Sequence, residues 1–190
     1  MEPTATYPPR IVPVAAGLEL RPVSALDVDE LYALVDAERG RLREWLPWLH
    51  TSYTIRDMRQ HIVDRERDNH SGVSLTTCIW RAGTICGAMG LHTIDQLHRN
   101  TSIGYWLASA FQGKGIMTEA CRALVTEAFS TYRLHRVEIR CAVGNARSGA
   151  IPQRLGFQEE GLLREAEWLY DHWVDLRVFS MLEQDWKPSS

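Results

Sequence analysis

Two glycines on either side of a lysine carry the clearest chemical signal in the sequence, at Gly113, Lys114 and Gly115. Residues 103–107 before them have the pattern of a strand, and the residues after them have the pattern of a helix as far as Phe129. A strand, a short turn and a helix start leave main-chain N–H groups unpaired at the positive end of the helix dipole. Glycine lets a ligand approach this backbone without an intervening Cβ. The pattern predicts an anion site, for which pyrophosphate is a natural ligand.

A Gly-x-Gly pair alone also fits a tight turn that binds nothing. Two better-known phosphate motifs are excluded here. The sequence lacks a third glycine at the spacing of the dinucleotide fingerprint, and it lacks the Gly-Lys-Ser/Thr that binds nucleotide phosphates with magnesium. The interpretation of the pair therefore depends on its surroundings.

The composition is that of one globular domain. The chain has 190 residues, of which 45% are hydrophobic and 24% are charged, which is enough for a core without disulfide or metal support. The net charge of −3 does not favour a broad surface for nucleic acid. The sequence has neither an apolar run near the roughly 20 residues that span a bilayer nor a secretion signal. We therefore expect neither a nucleic-acid nor a membrane partner.

The four cysteines give no sign of a metal site. Cys78, Cys86, Cys121 and Cys141 form no Cys-x-x-Cys pair, and no histidines stand at zinc spacing beside them. They are typical of reduced core thiols in a cytoplasmic protein. The alternative is a disulfide between Cys78 and Cys86, which could face each other across a hairpin.

Residues 1–17 contain four prolines and are predicted to form an extended N-terminal arm, followed by a single domain at 18–190. The predicted strands and helices follow in chain order: a strand at 18–23, a helix at 25–39 begun by Ser24 and interrupted by Gly40, a helix at 54–69 begun by Thr54, a hairpin of 73–80 and 85–93, a strand at 101–108, a helix at 116–132, a strand at 135–142, a short helix from Asn145, and a hairpin of 157–163 and 173–181.

The order strand, helix, strand around the glycine pair predicts a parallel crossover. The anion site then lies at the carboxyl end of the first strand, where ligands of open α/β sheets bind. The predicted fold class is α/β, or α+β, because the remaining strands form antiparallel hairpins.

Three motifs stand in fixed order in this chain: residues 112–120, the strand at 135–140, and the Asn145 helix with its Leu-Gly-Phe ending at Phe157. Together they resemble the GNAT superfamily of acyl-CoA N-acyltransferases. Trp45-Leu-Pro-Trp48, Glu159-Glu-Gly and Asp175-Leu resemble its branch of ribosomal-protein N-terminal acetyltransferases of the RimJ/RimL type. The resemblance covers residues 18–186. It implies a single-domain GNAT fold, with a mixed, mostly antiparallel sheet, a central splayed parallel strand pair and helices on both faces.

The resemblance also implies acetyl-CoA as co-substrate, with no metal. The diphosphate would lie on the loop of residues 112–118 and the pantetheine arm in the splayed pair, while Asn145 reaches the amide groups and Ser148 lies near the sulfur. Asn145 could instead serve only as a helix cap. The expected cofactor-binding residues are Trp106, Leu107, Gln112, Gly113, Lys114, Gly115, Ile116, Met117, Thr118, Asn145 and Ser148.

The sequence departs from the family pattern at two chemically important points. Ser102 occupies the strand position where many members carry a glutamate that helps to deprotonate the amine. Phe179 and Ser180 stand where many members carry a tyrosine that protonates the thiolate. Met117, in place of a small residue, matters less because a phosphate needs only its N–H. The acid and the base must therefore come from other residues.

Ser148 is the favoured acid and Glu167 the favoured base, both by resemblance to the family. Ser148 could instead be a capping or core hydroxyl, and Glu167 a solvated turn residue. His92, Asp95 and His98 could relay the proton from the other side of the cleft. Pro152, which lacks an N–H, is expected to kink the helix near Ser148.

The acceptor site is expected to contain Trp45, Trp48 and Asp95, with the aromatic segment as a wall or lid. The alternative for the two tryptophans is core packing beneath the first helix. The resemblance implies that the acceptor is the α-amine of a ribosomal protein. The alternatives are a small-molecule amine, another donor such as succinyl-CoA, and a non-catalytic acyl-CoA-binding module. A homodimer is left open.

Overall fold

The computed structural model describes residues 8–187, and these residues form one eight-stranded sheet. The strands in chain order are β1 Val12–Ala15, β2 Leu18–Pro22, β3 Leu75–Arg81, β4 Thr84–Leu91, β5 Asn100–Leu107, β6 Arg136–Ala142, β7 Gln158–Leu169 and β8 His172–Leu182. Across the sheet the order is β1-β2-β3-β4-β5-β6-β8-β7. All neighbours are antiparallel except β5 and β6, which are parallel. The predicted mixed sheet with one central parallel pair is confirmed.

Helices cover both faces of this sheet, as predicted. The α-helices of the described residues are α1 Val28–Ala37, α2 Arg39–Arg43, α3 Ile55–Ser71, α4 Ile116–Ser130 and α5 Ala146–Arg154. Side chains of α4 and α5 share one hydrophobic core, and those of α1 and α3 share a second. The consecutive residues Cys78 and Ile79 of β3 belong to different cores, because successive strand side chains point to opposite faces.

Capping boxes fix the first two helical segments where the sequence predicts them. The Ser24 hydroxyl accepts a hydrogen bond from the Leu26 N–H, and the Thr54 hydroxyl accepts one from the Asp57 N–H. Gly40 does not interrupt a helix, contrary to the prediction. The first segment is a 3₁₀ turn followed by α1, which ends before Glu38, and α2 then continues through Gly40.

The N-terminal arm is the main difference from the sequence-based expectation. Residues 1–7 lie outside the described part of the chain, but β1 pairs with β2 and buries Val12 in the core. Arg10 forms two hydrogen bonds to the carboxylate of Glu127 on α4. The prolines lead to the prediction of an arm, but they do not exclude a strand here. Because β1 is an edge strand, Pro13 need not donate a main-chain hydrogen bond to a second neighbouring strand. Residues 12–15 of the predicted arm are therefore a strand of the sheet.

All four cysteines are free and buried, as predicted. Cys78 and Cys86 belong to cores on opposite faces of the sheet, which excludes the alternative of a disulfide between them. Burial raises the pKa of Cys86 to about 11, so its thiol stays protonated. Within residues 8–187, no group of three or more His, Cys, Asp and Glu side chains is placed to hold a metal ion. No helix in that range is long and apolar enough to span a bilayer.

Candidate active site

Strands β5 and β6 are paired over only part of their length. Their last matched residues are Ile103 and Ile139. Beyond this point β5 continues against β4 as far as Leu107, and β6 continues against β8 as far as Ala142. A gap therefore opens in the middle of the sheet, as expected for a central parallel strand pair that splays apart. Main-chain groups along this gap need another partner, because buried N–H and C=O groups are costly to leave unpaired.

The main-chain groups of Tyr105 and Leu107 face the gap. The carbonyl of Ser102 and the N–H of Ala108 both form hydrogen bonds with main-chain groups on the β4 side. Alternate residues of a strand direct their main-chain groups to the same side. The even-numbered residues of β5 therefore face β4, and the odd-numbered ones face β6.

Part of this edge is already used by side chains of the protein. The Leu107 carbonyl accepts hydrogen bonds from Gln112 Nε2 at 3.0 Å and from Arg41 Nη2 at 2.8 Å. The Leu107 N–H and the two main-chain groups of Tyr105 remain for an extended ligand. Trp106, which the sequence analysis assigned to this edge, pairs with β4. Tyr105 takes the place expected for Trp106.

The start of α4 has the local geometry expected of an anion site. Gly113 and Gly115 have φ values of +72° and +76°, which glycine adopts without strain. Gly115 precedes α4 and offers no side-chain cap, so the first-turn N–H groups of Ile116, Met117 and Thr118 have no helical partners. Burial of the Ile116 and Met117 side chains fixes the helix start in place.

Three exposed cations surround this helix start: Lys114 from the loop, and Arg147 and Arg154 from α5. Arg147 Nη1 lies 3.0 Å from Gln112 Oε1, and Arg154 Nη1 lies 3.4 Å from Thr118 Oγ1. The sequence analysis missed both arginines. Their spacing of seven residues places them on one face of a helix, but that face gains meaning only once α5 is seen beside α4.

Two of the predicted ligand residues also serve the fold. The Gln112 side chain bridges the Leu107 carbonyl and Arg147, so it fastens the end of β5 to α5. Asn145 Oδ1 accepts a hydrogen bond from the Ser148 N–H at 3.1 Å, which is the helix-cap role. Within the described residues nothing accepts from Asn145 Nδ2, which remains for a ligand.

Ser148 lies in the first turn of α5 and faces Tyr105. The Tyr105 hydroxyl donates to the Ser148 carbonyl at 2.9 Å, and Ser148 Oγ lies 3.4 Å from the same tyrosine oxygen. Pro152 has no N–H for this carbonyl, yet α5 runs from Ala146 to Arg154. Burial raises the pKa of Tyr105 well above its usual value, so its hydroxyl remains a donor.

The aromatic segment is held between the end of β6 and the last hairpin. The ring of Trp45 lies against Gly144, 3.3 Å from where a Cβ on that glycine would stand. Tyr170, at the tip of the β7–β8 hairpin, donates its hydroxyl to the carbonyls of Leu46 and Leu49. These contacts place Trp45 beside the carboxyl end of β6, next to the gap.

Trp48 points away from Trp45 and packs on α3. It is 37% exposed, and its ring stacks on His61 with 6.1 Å between the ring centroids. With Trp106 it lines a cavity of about 40 Å³ between the helices and the sheet. Core packing in this segment falls to Leu42 and Leu49, which are buried. Neither tryptophan is a core residue.

Glu167 is a carboxylate without a partner. It lies in β7 opposite Val174, it is half-buried, and it forms no hydrogen bond or ion pair with any other described residue. Partial burial raises the pKa of its carboxyl. It stands three residues from Tyr170, which binds the aromatic segment. Such a carboxylate is suited to accept a proton.

His92 is a second titratable side chain at the start of the gap. Its Nδ1 lies 3.1 Å from Ser102 Oγ, and its ring covers Gly104, the first residue of β5 beyond the last β5–β6 pair. A Cβ on Gly104 would lie only 2.5 Å from His92 Nε2, so glycine makes room for the ring. Burial and the nearby Arg65 lower the pKa of His92, which favours its neutral form.

Asp95 and His98 do not join this group. Asp95 Oδ1 accepts a hydrogen bond from the His98 N–H at 2.8 Å and closes the turn between β4 and β5. This turn precedes β5, whereas the gap opens towards the carboxyl end of that strand. Asp95 therefore lies at the other end of the strands from Trp45, and the structure does not bring these two side chains together.

The fold and the site together define a class of enzyme. A helix start with free N–H groups among three cations suits a diphosphate, and an unpaired strand edge beside it suits an extended arm with amide groups. Coenzyme A has both parts. The arrangement is that of an acyl-CoA-dependent N-acyltransferase.

Comparison with known families agrees with this class. The model of an acetyltransferase (GNAT) domain matches residues 17–158. The chain belongs to the GNAT family of acetyltransferases, and it is an acetyl-CoA-dependent N-acetyltransferase. The alternatives of a non-catalytic module and of a different acyl donor are therefore not retained.

Three similar proteins illustrate the relationship. The chain is 35% identical over 171 residues to YdaF of Bacillus subtilis, which is named as a proposed ribosomal N-acetyltransferase, with 90% of this chain and 93% of that protein covered. A structure of the ribosomal L7/L12 α-N-protein acetyltransferase RimL with coenzyme A has a TM-score of 0.88 at 28% identity, covering 91% and 98%. The microcin C7 self-immunity acetyltransferase MccE, solved with acetyl-CoA and AMP, has a TM-score of 0.85 at 30% identity, covering 89% and 94%.

Replacement of Gly115 tests the anion site. Gly115→Val is expected to lower acetyl-CoA affinity about tenfold or more, because a β-branched residue resists positive φ and obstructs the approach to the first N–H groups of α4. Isothermal titration calorimetry measures the affinity. Gly72→Val is the matched control, because Gly72 has a φ of +72° where α3 ends, beside the β4–β5 turn at the other end of the strands. Equal affinity in the folded Gly115 variant and the wild type would contradict the site.

Proposed function

We propose that this enzyme acetylates the N-terminal α-amine of a ribosomal protein. The observation that supports this most directly is the contact beside the gap by which Tyr170 fastens the Trp45 segment to the hairpin that carries the unpaired Glu167. An apolar wall with a single carboxylate suits one ammonium group on a short apolar residue. The names of YdaF and RimL point to the same class of acceptor.

Direct transfer requires a neutral amine, a donor to the oxyanion and a proton for the leaving thiolate. In the proposed mechanism Glu167 removes the proton from the amine, and Ser148 protonates the thiolate as the thioester C–S bond breaks. The N–H groups of Tyr105 and Leu107 that face the gap are available to the oxyanion. An α-amine has a pKa of about 8, so the base need only be modest.

The pH dependence of turnover tests Glu167 as the base. The raised pKa of its carboxyl means that turnover at saturating substrates should fall as the pH decreases through that pKa, since only the carboxylate accepts a proton. Glu167→Gln is expected to abolish this acidic limb and to lower kcat by about 100-fold. Glu165→Gln, at an exposed residue of the same strand, should leave both unchanged.

A limb that persists in Glu167→Gln would contradict this assignment. His92 is then the next candidate, because its ring lies at the start of the gap. Replacement of His92 by Gln keeps a polar side chain beside Ser102. A limb lost only in that variant would move the role of base to the histidine.

Truncation of the aromatic wall tests the acceptor. Trp45→Ala is expected to raise the KM for a peptide with a free N-terminal alanine by about tenfold, because the apolar surface beside the amine is lost. Acetyl-CoA affinity should be preserved. Trp186→Ala is the control, since Trp186 packs on Phe129 near the end of α4 and takes no part in the aromatic segment. The same assay compares peptides with small amines: acetylation of small amines alone would overturn the protein acceptor in favour of a small-molecule one.

We further propose that the enzyme forms a homodimer in the cytoplasm. Ribosomal proteins are made in the cytoplasm, and the buried reduced thiols suit that compartment. The terminal strand β7 has one unpaired edge, and its hairpin exposes four large apolar side chains: Leu162, Leu163, Trp168 and Trp173. Apolar surface on an open edge favours pairing with a second copy.

Light scattering during size exclusion tests the dimer. The wild type is expected at twice the chain mass, and Leu162→Glu at the mass of one chain, because the new carboxylate would be desolvated between two copies. Acetyl-CoA affinity of the variant should be unchanged, which shows that the fold is intact. A wild type that elutes as a monomer at micromolar concentration would contradict the proposal.

A further inference from the structure

A tyrosine hydroxyl replaces a helix N–H inside the active site. In a regular α-helix the N–H of residue 152 would bind the carbonyl of Ser148, but Pro152 has no N–H. Tyr105 donates its hydroxyl to that carbonyl at 2.9 Å. A single hydrogen bond from β5 thus supports α5 at the residue proposed as the acid.

The same tyrosine oxygen also contacts the side chain of this serine, since Ser148 Oγ lies 3.4 Å away and can donate to it. A serine in a helix without such a partner commonly turns its hydroxyl to a carbonyl three or four residues earlier, and the carbonyl of the cap residue Asn145 lies three residues before Ser148. Tyr105 therefore gives the Ser148 hydroxyl an acceptor on the face of α5 that packs on the sheet.

The tyrosine is suited to hold this position across the working pH range. Burial keeps the pKa of its phenol well above the usual value, so the hydroxyl is neutral and can donate and accept at once. The hairpin position where many family members carry a tyrosine holds the fully buried Phe179, which has no hydroxyl.

We propose that Tyr105 is a positioning residue for Ser148. Its hydroxyl satisfies the carbonyl that Pro152 leaves free, and it keeps the Ser148 side chain directed towards the gap between β5 and β6. This inference rests on the proposed role of Ser148 as the proton donor to the thiolate.

Two substitutions separate support of the helix from positioning of the hydroxyl. Tyr105→Phe leaves the Ser148 carbonyl without a donor, so the Tm should fall by about 3–6 °C. Adding Pro152→Ala supplies an N–H to that carbonyl and should restore most of the Tm.

Turnover should behave differently: kcat falls about tenfold or more in Tyr105→Phe and stays low in the double variant, with acetyl-CoA affinity unchanged in both. Tyr132→Phe removes a hydroxyl from another buried tyrosine of the same core and should retain the wild-type kcat.

Recovery of kcat together with the Tm in the double variant would overturn the proposal, because Tyr105 would then serve only the helix. A wild-type kcat in Tyr105→Phe would overturn it as well. If the wild type acetylates no amine, the proposed function fails separately, and crystal structures of wild type and Tyr105→Phe decide the positioning role. A Ser148 hydroxyl turned to the Asn145 carbonyl in the variant supports positioning, and an unchanged rotamer contradicts it.

Discussion

The end of hydrogen bonding between β5 and β6 is the feature on which the active site depends. A sheet that stayed paired beyond Ile103 and Ile139 would have no free edge for an extended ligand. Because the strands separate, β5 can present the main-chain groups of Tyr105 and Leu107, and the helix that follows β5 begins beside the gap. One topological choice thus produces both features that suit coenzyme A, a strand edge for the arm and a helix start for the phosphates.

A gap in a sheet weakens the structure unless its exposed groups find partners, and side chains from distant elements provide them here. The carbonyl of Leu107 accepts hydrogen bonds from Arg41 and Gln112, which join α2 and the loop of residues 112–118 to the end of β5. Tyr170 binds two carbonyls of the aromatic segment, so this segment is tied to the last hairpin. These hydrogen bonds hold the site in one conformation, because each supplies a donor to a carbonyl that would otherwise be unsatisfied. Preorganised groups of this kind reduce the reorganisation needed during the reaction.

The sequence predicts the parts of the site that depend on local pattern. The glycine pair before a helix identifies the anion site, and Asn145 identifies the start of α5 with Ser148 one turn later. Prediction from the sequence fails where the role of a residue depends on the register between strands or on contacts between helices. The register between β4 and β5 decides that the main-chain groups of Tyr105, and not those of Trp106, face the gap. The packing of α5 on α4 decides that Arg154 reaches Thr118 at the start of α4. The position of Asp95 is missed for a related reason, since nothing local reveals that its turn lies at the other end of the strands from Trp45.

Amide hydrogen exchange with and without acetyl-CoA tests most directly whether the gap is the coenzyme A cradle. Bound acetyl-CoA is expected to slow exchange at Tyr105 and Leu107, whose N–H groups face the gap, and at the first-turn residues Ile116 to Thr118 of α4. Amides of β4 that are already paired within the sheet should change little. Saturating acetyl-CoA that protects other regions, and leaves Tyr105, Leu107 and the start of α4 unaffected, would contradict the site.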